Sequence, residues 1–518
     1  MIEVDVPKGW TLATIVEVAT ASGGGTPSKS DPSYWVDGDV PWVSPKDMKV
    51  FDIDASEDTV TTKALDRLTL IPEDSVLVVV RSGILSRTLP VAVNRVPVTV
   101  NQDMRAFVPE AGVSARFLAW QLISRERDIL DRCSKDGTTV ASIEGPALAA
   151  YPLLLAPQGE QVRIVEKLEE LLSDLDAGVA ELKAAQRKLA QYRQSLLKAA
   201  VEGTLTADWR AARARSGERQ ETGADLLQRI LTERRARWEA KQLAKYAEQG
   251  KTAPKGWQAK YPEPVAPDTD GLPMLPSGWA WASLDMVGEI ASGVAKGMKR
   301  STTAPVREVP YLRVANVQRG YLDLSQIKTI EAAEADIEEL RLRPGDVLFN
   351  EGGDLDKLGR GWVWRGEVPE CIHQNHVFRL RPYLPATPPE LISHHGNTFG
   401  RTWFKSAGKQ TTNLASINMT MLRAFPVPIA PELESAEILA MLSPMLDAVA
   451  AQEVSVELGL RQGDAQRKNI LKAAFSGQLV PQDPNDEPAS ALLERIRAER
   501  ATRDGATRPR GRKPRTTA

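Results

Sequence analysis

VEKLEELLSDLDAGVAELKAAQRKLAQYRQSLLKAA, residues 165–200, places leucine at every seventh position: Leu168, Leu175, Leu182, Leu189 and Leu196. The other seam position reads Val165, Leu172, Val179, Gln186, Arg193 and Ala200, apolar at first and partly polar later. Five such repeats are enough to expect a coiled coil. Pro157 and Gly203 bracket the stretch, and at 1.5 Å per residue the helix would be about 60 Å long.

The register returns 274 residues later. One seam there is Leu442, Val449, Val456, Gly463 and Ile470; the other is Met445, Gln452, Gly459, Gln466 and Ala473. Gly459 and Gly463 each cost about 1 kcal/mol inside a helix. They either admit a bulky side chain from a partner or mark a break. Ordinary bundle packing is the plain reading of any one such stripe. Two matched helices in register favour pairing with one another, and the antiparallel arrangement would relate two regions by a pseudo-twofold axis.

Working outward, the whole chain is a long duplication. VPKGW (6–10) recurs as LPSGW (275–279), and ATASGGG (19–25) as EIASGVAKG (289–297). VPWVSPKDM (40–48) matches VPYLRVANV (309–317), and IPEDSVL (71–77) matches RPGDVLF (343–349). LLKAAVEGTL (196–205) returns as ILKAAFSGQL (470–479), and ADLLQRILTERR (224–235) as ASALLERIRAER (489–500). As far as the LLKAAVEGTL pair the offset drifts from 269 to 274, as duplication with small loop insertions would leave it, and the last pair lies 265 apart. A period this long is not that of a solenoid.

The expected organisation is a globular region at 1–155, a helix at 156–205 and a helical segment with a proline-rich tether at 206–271. A second globular region follows at 272–430, a distal helix at 431–480, and a short helix with a basic tail at 481–518. The globular regions read as mixed α and β: Val76–Val80 suits a buried strand and Ala115–Ile129 a helix. The expected class is α+β.

The 518 residues are 42% hydrophobic and 26% charged, which excludes whole-chain disorder. Lys+Arg is 66 against Asp+Glu 68, so any polyanion-binding surface must be local. Two cysteines support neither a disulfide framework nor a four-cysteine zinc site. The start MIEVDVPKGW lacks the pattern of a secretory signal, and PALAAYPLLLAP (146–157) is too short to span a bilayer. A cytoplasmic location and no membrane partner are expected.

Chemistry-bearing motifs are missing. There is no GxxxxGK[ST], HExxH or nucleophile elbow. Cys371, His373 and His376 suggest zinc, but their first-copy counterparts are Thr99, Asn101 and Met104, which excludes a duplicated site. EGGDLDK (351–357) has carboxylates, yet the first copy has VRSGILS there. No catalytic residue and no metal site is assigned. Two divergent copies suit recognition at two places. An autonomous DNA methyltransferase or nuclease, and a coiled-coil adaptor that does not bind DNA, are the competing readings.

Taken together, the motifs resemble the specificity subunit of Type I restriction-modification enzymes over nearly the whole length. GWTLATIVEVATASGGGTPSKSDPSYWVDGDVPWVSPKDM (9–48) looks like the opening of that family's target-recognition domain. PSGWAWASLDMVGEIASG (276–293), VPYLRVANVQRGYL (309–322), LRPGDVLFNEGG (342–353) and HQNHVFRL (373–380) look like a second. APQGEQVRIVEKLEELLSDLD (156–176) and LKAAFSGQL (471–479) resemble its conserved helical regions. The resemblance implies two target-recognition domains that each read half of a bipartite double-stranded DNA sequence, with the helices setting the spacing. It also implies two modification (methyltransferase) subunits and two restriction (motor nuclease) subunits as partners. S-adenosylmethionine, Mg2+ and ATP would then act on those partners, with no cofactor in this chain. The second copy departs from the pattern by carrying Lys296, Gly297 and Met298 in place of the TPS that follows the first copy's glycines, and the basic tail is an addition.

DNA-contacting candidates are the polar and basic residues at motif turns. In the first copy they are Thr26, Ser28, Lys29, Lys46, Arg81, Arg87 and Gln102. In the second they are Lys296, Lys299, Arg300, Arg313, Asn316, Lys357 and Gln374. Asn316, Gln102 and Gln374 are candidates for adenine. Arg81 interrupts VLVVVRSG where a strand should yield to a loop. The coiled-coil or partner-interface set is Leu168, Leu172, Leu175, Val179, Leu182, Leu189, Leu196, Leu442, Val449, Val456 and Ile470.

Overall fold

The computed structural model describes residues 6–135, 140–217, 220–295, 305–353, 358–407, 409–411 and 414–507. The chain divides into two compact units, residues 1–184 with 456–518, and residues 185–455. Four helices recur below: α1 (Gln158–Val201), α2 (Gly223–Glu248), α3 (Glu432–Ala474) and α4 (Ala489–Thr507).

The first unit holds β1 (Thr11–Thr14), β2 (Ala19–Gly23), β3 (Val40–Val43), β4 (Asp52–Ile53), β5 (Asp58–Val60), β6 (Val76–Val79), β7 (Val91–Asn94), β8 (Thr99–Val100), β9 (Met104–Pro109) and β10 (Pro152–Leu155). One sheet runs β2-β9-β6-β7-β4, a second β5-β3-β8, and β1 pairs antiparallel with β10. All four residues of the apolar run VLVV are buried in β6, between β9 and β7. Leu118, Leu122 and Ile129, from helices Ala115–Ser124 and Glu126–Cys133, complete the core beside it.

The second unit holds β11 (Ala280–Ser283), β12 (Gly288–Ala291), β13 (Val306–Leu312), β14 (Lys328–Ala333), β15 (Val347–Asn350), β16 (Gly352–Gly353), β17 (Gly361–Val363), β18 (Ile372–His373), β19 (Val377–Pro382), β20 (Lys409–Thr411), β21 (Leu414–Ser416) and β22 (Pro426–Ile429). Its sheets repeat the first set: β12-β19-β15-β17, β14-β13-β18 and the pair β11-β22. A sheet β16-β21-β20 is added. Both units are α+β, and the strands they share keep the same order; the edge strand β4 has no counterpart in the second large sheet.

The repeated motifs are turns and braces. Pro7–Trp10 and Pro276–Trp279 are tight turns, with Trp10 N–H donating to Pro7 O (3.0 Å) and Trp279 N–H to Pro276 O (3.1 Å). Gly9 (φ +80°) and Gly278 (φ +86°) occupy the left-handed position that such turns require. Trp279 then donates through Nε1 to the buried Glu434 (3.0 Å), which also accepts from Thr206 Oγ1 (2.7 Å) and Arg210 Nη2 (2.8 Å). In the first unit Trp10 and Glu160 are both buried, Arg163 pairs with Asp486 instead (2.6 Å), and burial pushes the Glu160 carboxyl up against the opposing pull of Trp10 and Arg163. The edge pairs β1-β10 and β11-β22 bring the two ends of each globular region together just ahead of α1 and α3.

The two long helices pair antiparallel within each unit. In the first, Leu168 and Leu172 share a core with Ile470, Leu471, Ala474 and Phe475. Further along, Asp176 forms an ion pair with Arg467. In the second, Leu189, Leu196 and Leu197 pack with Ile438, Leu442 and Val449, and Arg193 pairs with Glu453 at 2.7 Å. The polar half of the heptad seam is therefore an ion pair, not a gap. Gly459 and Gly463 do not break α3. A Cβ on Gly459 would lie 3.1 Å from Leu182, and one on Gly463 3.0 Å from Val179, so the glycines accommodate bulky partner side chains. Pro444 also lies inside α3 without ending it, a feature the heptad pattern does not announce. Of the interface set, Leu168, Leu172, Leu196, Leu442, Val449 and Ile470 are buried; Leu175, Val179, Leu182, Leu189 and Val456 are half-buried. Among the described residues α3 is the one helix long and apolar enough to cross a membrane (mean hydropathy 1.2), but its apolar stripe packs on α1.

The short helices cross over. α2 follows the first copy in sequence yet puts Leu226 and Ile230 into the second unit's core. α4 follows the second copy yet puts Ala489, Leu492, Leu493 and Ile496 into the first unit's core. The segment 206–271 is thus more than a tether: Arg234 of α2 bonds Pro262 O (2.8 Å) and pairs with Asp285 (3.5 Å), fastening the proline-rich segment to the globular region.

Candidate nucleic-acid interface

In the first unit one end of the large sheet collects nearly every candidate loop. β2 and β6 end there and β9 begins there, since Gly23 pairs with Arg105 and Val79 with Met104. The loop after β2 is held down where Gly25 N–H donates to Val100 O (3.0 Å). Gly24 crosses so close to Asn101 O that a Cβ would sit 1.9 Å from it, and Gly293 meets His373 O at the same 1.9 Å. The glycine-rich segments are therefore a crossing requirement, not a phosphate loop. The turn after β8 is tied in turn: Asn101 N–H donates to Val43 O (2.9 Å), and Val80 N–H to Asp103 O (2.8 Å).

Thr26 and Gln102 come together, the hydroxyl donating to the amide oxygen, and both are exposed. Ser28 and Lys29 stand exposed on the same loop. Arg81 and Arg87 lie on the exposed β6–β7 connection, whose Thr88 Oγ1 and Leu89 N–H are gripped by Glu126 (2.6 and 3.0 Å). Lys46 sits on the turn after β3 and faces Glu57 at 3.8 Å.

Charge is distributed unevenly. Elsewhere in this unit Arg95, Arg116, Arg163, Arg495, Arg497 and Arg500 each bind a carboxylate. On the rim, among the described residues, Arg81, Arg87 and Arg105 have no carboxylate partner, and neither do Arg125 and Arg127 flanking Glu126. Arg67 lies over the Tyr34 ring (5.7 Å). An uncompensated basic rim on a near-neutral chain is the local footprint that a polyanion needs. Arg105, Arg125 and Arg127 were missed by motif reading. The one signal for Arg105 was a cation in the otherwise apolar strand MRAFV.

The second unit repeats the crossing: Val294 N–H donates to His373 O (2.9 Å) and Gln374 N–H to Leu312 O (2.8 Å). Gln374 is half-buried beside it. Asn316 is a correction. It is buried, its amide donates to Asp323 O (2.8 Å) and Gln326 O (3.1 Å), and its oxygen accepts from Arg313 N–H (3.0 Å). With every polar atom engaged it braces the 313–326 loop and has nothing left for a base edge. Arg313 is partly tied as well, donating to Gln326 O (3.2 Å). Lys296, Lys299, Arg300 and Lys357, with Gly297, Met298 and the basic tail, lie outside the described residues.

The residues that had suggested a metal have other partners. Cys371 and His373 are buried, with His373 Nδ1 2.6 Å from Val377 O, while His376 bonds Glu351. Among the described residues no three His, Cys, Asp or Glu side chains cluster as metal ligands.

Duplicated α+β regions, each with a loop rim, joined to paired long helices define a class. Residues 7–184 match the family described as the Type I restriction modification DNA specificity domain, and the chain as a whole is similar to specificity subunits of Type I restriction enzymes. Among individual relatives, the Escherichia coli EcoR124I/EcoR124II specificity subunit is 38% identical over 189 residues, 35% of this chain and 47% of that subunit. That match therefore spans about half of the relative's length. The EcoKI specificity subunit of Escherichia coli strain K12 is 23% identical over 516 residues, 96% of this chain and 97% of that subunit. A chain solved in work on complex assembly and conformational transition of the type I R-M system shares the fold, with TM-score 0.59 and 16% identity, covering 92% of this chain and 100% of its own.

Proposed function

We infer that this chain is the DNA sequence-specificity subunit of a Type I restriction-modification system. The observation that carries the reading is the rim of arginines without carboxylates, on a module whose strand order occurs twice. Each globular region reads one half of a bipartite double-stranded target. The paired long helices set the spacing of the halves and hold two modification subunits, and the assembly takes up two restriction subunits. The exposed Val454 and Leu458, one turn apart on α3, are apolar surface suited to such a partner. Methyl transfer and ATP-driven cleavage belong to the partners, with S-adenosylmethionine, Mg2+ and ATP bound there, and this chain contributes recognition without catalysis.

Exchanging residues 1–155 for those of a relative tests this. Methylome sequencing of cells expressing the intact system should show one half-site replaced and the other unchanged. Lengthening α1 and α3 together by one turn should change the spacer alone. Methylation that ignores both edits, or turnover by the purified chain alone, would overturn the reading.

A further inference from the structure

Arg105 differs from the other unpaired arginines of the rim. It is on strand β9, not on a loop, and it is half-buried. Its cross-strand neighbours are Gly23 and Val78, and Val78 is fully buried. The guanidinium fits against two glycines. A Cβ on Gly23 would lie 3.3 Å from Nη1, and one on Gly145 would lie 3.2 Å from Nη2. Such a cradle removes rotamers that an exposed arginine would sample, without supplying a carboxylate to neutralise it. The aligned position in the second copy is Val377, which is fully buried. The cradle is therefore a property of one copy on a strand framework that both share.

Resting on the reading of this chain as a DNA-specificity subunit, we propose that Arg105 is a specificity-determining residue that reads a guanine in the half-site of the first globular region. A planar fork held at fixed orientation matches the two acceptors, O6 and N7, that guanine alone presents in the major groove. A phosphate contact asks less of geometry and is served by the exposed Lys29, Arg81 and Arg87. Rigid support on a strand is the arrangement that recognition of one base edge requires.

The experiment is methylome sequencing of cells carrying the intact system with Arg105→Ala, Arg105→Lys or Gly145→Ala. Wild type must first show a bipartite motif whose first half is exchanged with residues 1–155; without one, the parent reading fails and not this proposal alone. Arg105→Ala is expected to relax one guanine position of that half-site by about tenfold or more, with the second half-site unchanged. Arg105→Lys keeps the charge but loses the fork and is expected to relax it too. Gly145→Ala removes no charge and puts a Cβ 3.2 Å from Nη2, so it should displace the fork by a few tenths of an ångström and relax the same guanine position in part, even if Arg105→Ala fails to fold. A motif unchanged base for base in Arg105→Lys and Gly145→Ala, with at most a uniform drop in methylation, would overturn the proposal.

Discussion

His373, His394 and His395 are three of the four histidines, and burial holds each down to about pKa 4. The unfolded chain takes up these protons below about pH 6.5, whereas the folded chain refuses them until about pH 4. Stability of the second unit is therefore complete above about 6.5 and falls on acidification, by at most about 1.4 kcal/mol per pH unit for each histidine. The first unit has no histidine. Its carboxyls are perturbed in both directions, Glu160 upward by burial and Glu17 and Glu110 downward. Burial raises Glu17 and Glu110, but hydrogen bonds from Arg497 and Arg500 outweigh it and hold both below the usual range. Their stabilisation is lost only at lower pH. Hydrogen exchange at pH 7 and pH 5, corrected for intrinsic rates, should show residues 347–380 losing protection before residues 76–109; the reverse order would refute the assignment. At this scale the sequence says little about roles. Asn316 and Thr26 are both polar residues at motif turns, and only burial separates the brace from the exposed candidate.

The long helices were the most legible elements, because a seven-residue leucine repeat is written by near neighbours and needs no tertiary information. Their antiparallel pairing followed from two matched stripes. The role of the glycines did not, since a gap in a helix and a socket for a partner look alike in sequence. With Leu182 and Val179 seated against them, size decides the outcome. Gly459→Ala gains about 1 kcal/mol of helix propensity against a 3.1 Å contact that the half-buried Leu182 can relieve, and should be near neutral. Gly459→Leu has no such relief and should cost about 1–3 kcal/mol. Urea unfolding of the full chain measures both, and a Leu variant as stable as wild type would show the socket to be loose.

At the scale of the whole molecule, the crossing of α2 and α4 makes each unit depend on sequence from the other copy's tail. Leu492→Ala should cost about 2–5 kcal/mol in the first unit, whose core includes Leu492 at 1% exposure. The second unit should be unaffected, and Leu226→Ala should do the reverse. Tryptic fragments released across a urea series distinguish the two; equal loosening of both units by either variant would refute the division. The sequence by itself determined the duplication, the α+β class, the buried strand at 76–79 and the heptad helices, because each is a local or repeated pattern. Tertiary structure alone decided which globular region each short helix covers, which arginines lack carboxylates, and that Arg105 rests between Gly23 and Gly145. Those facts depend on surfaces that meet across long separations in the chain, where shape and charge are matched without any local signature.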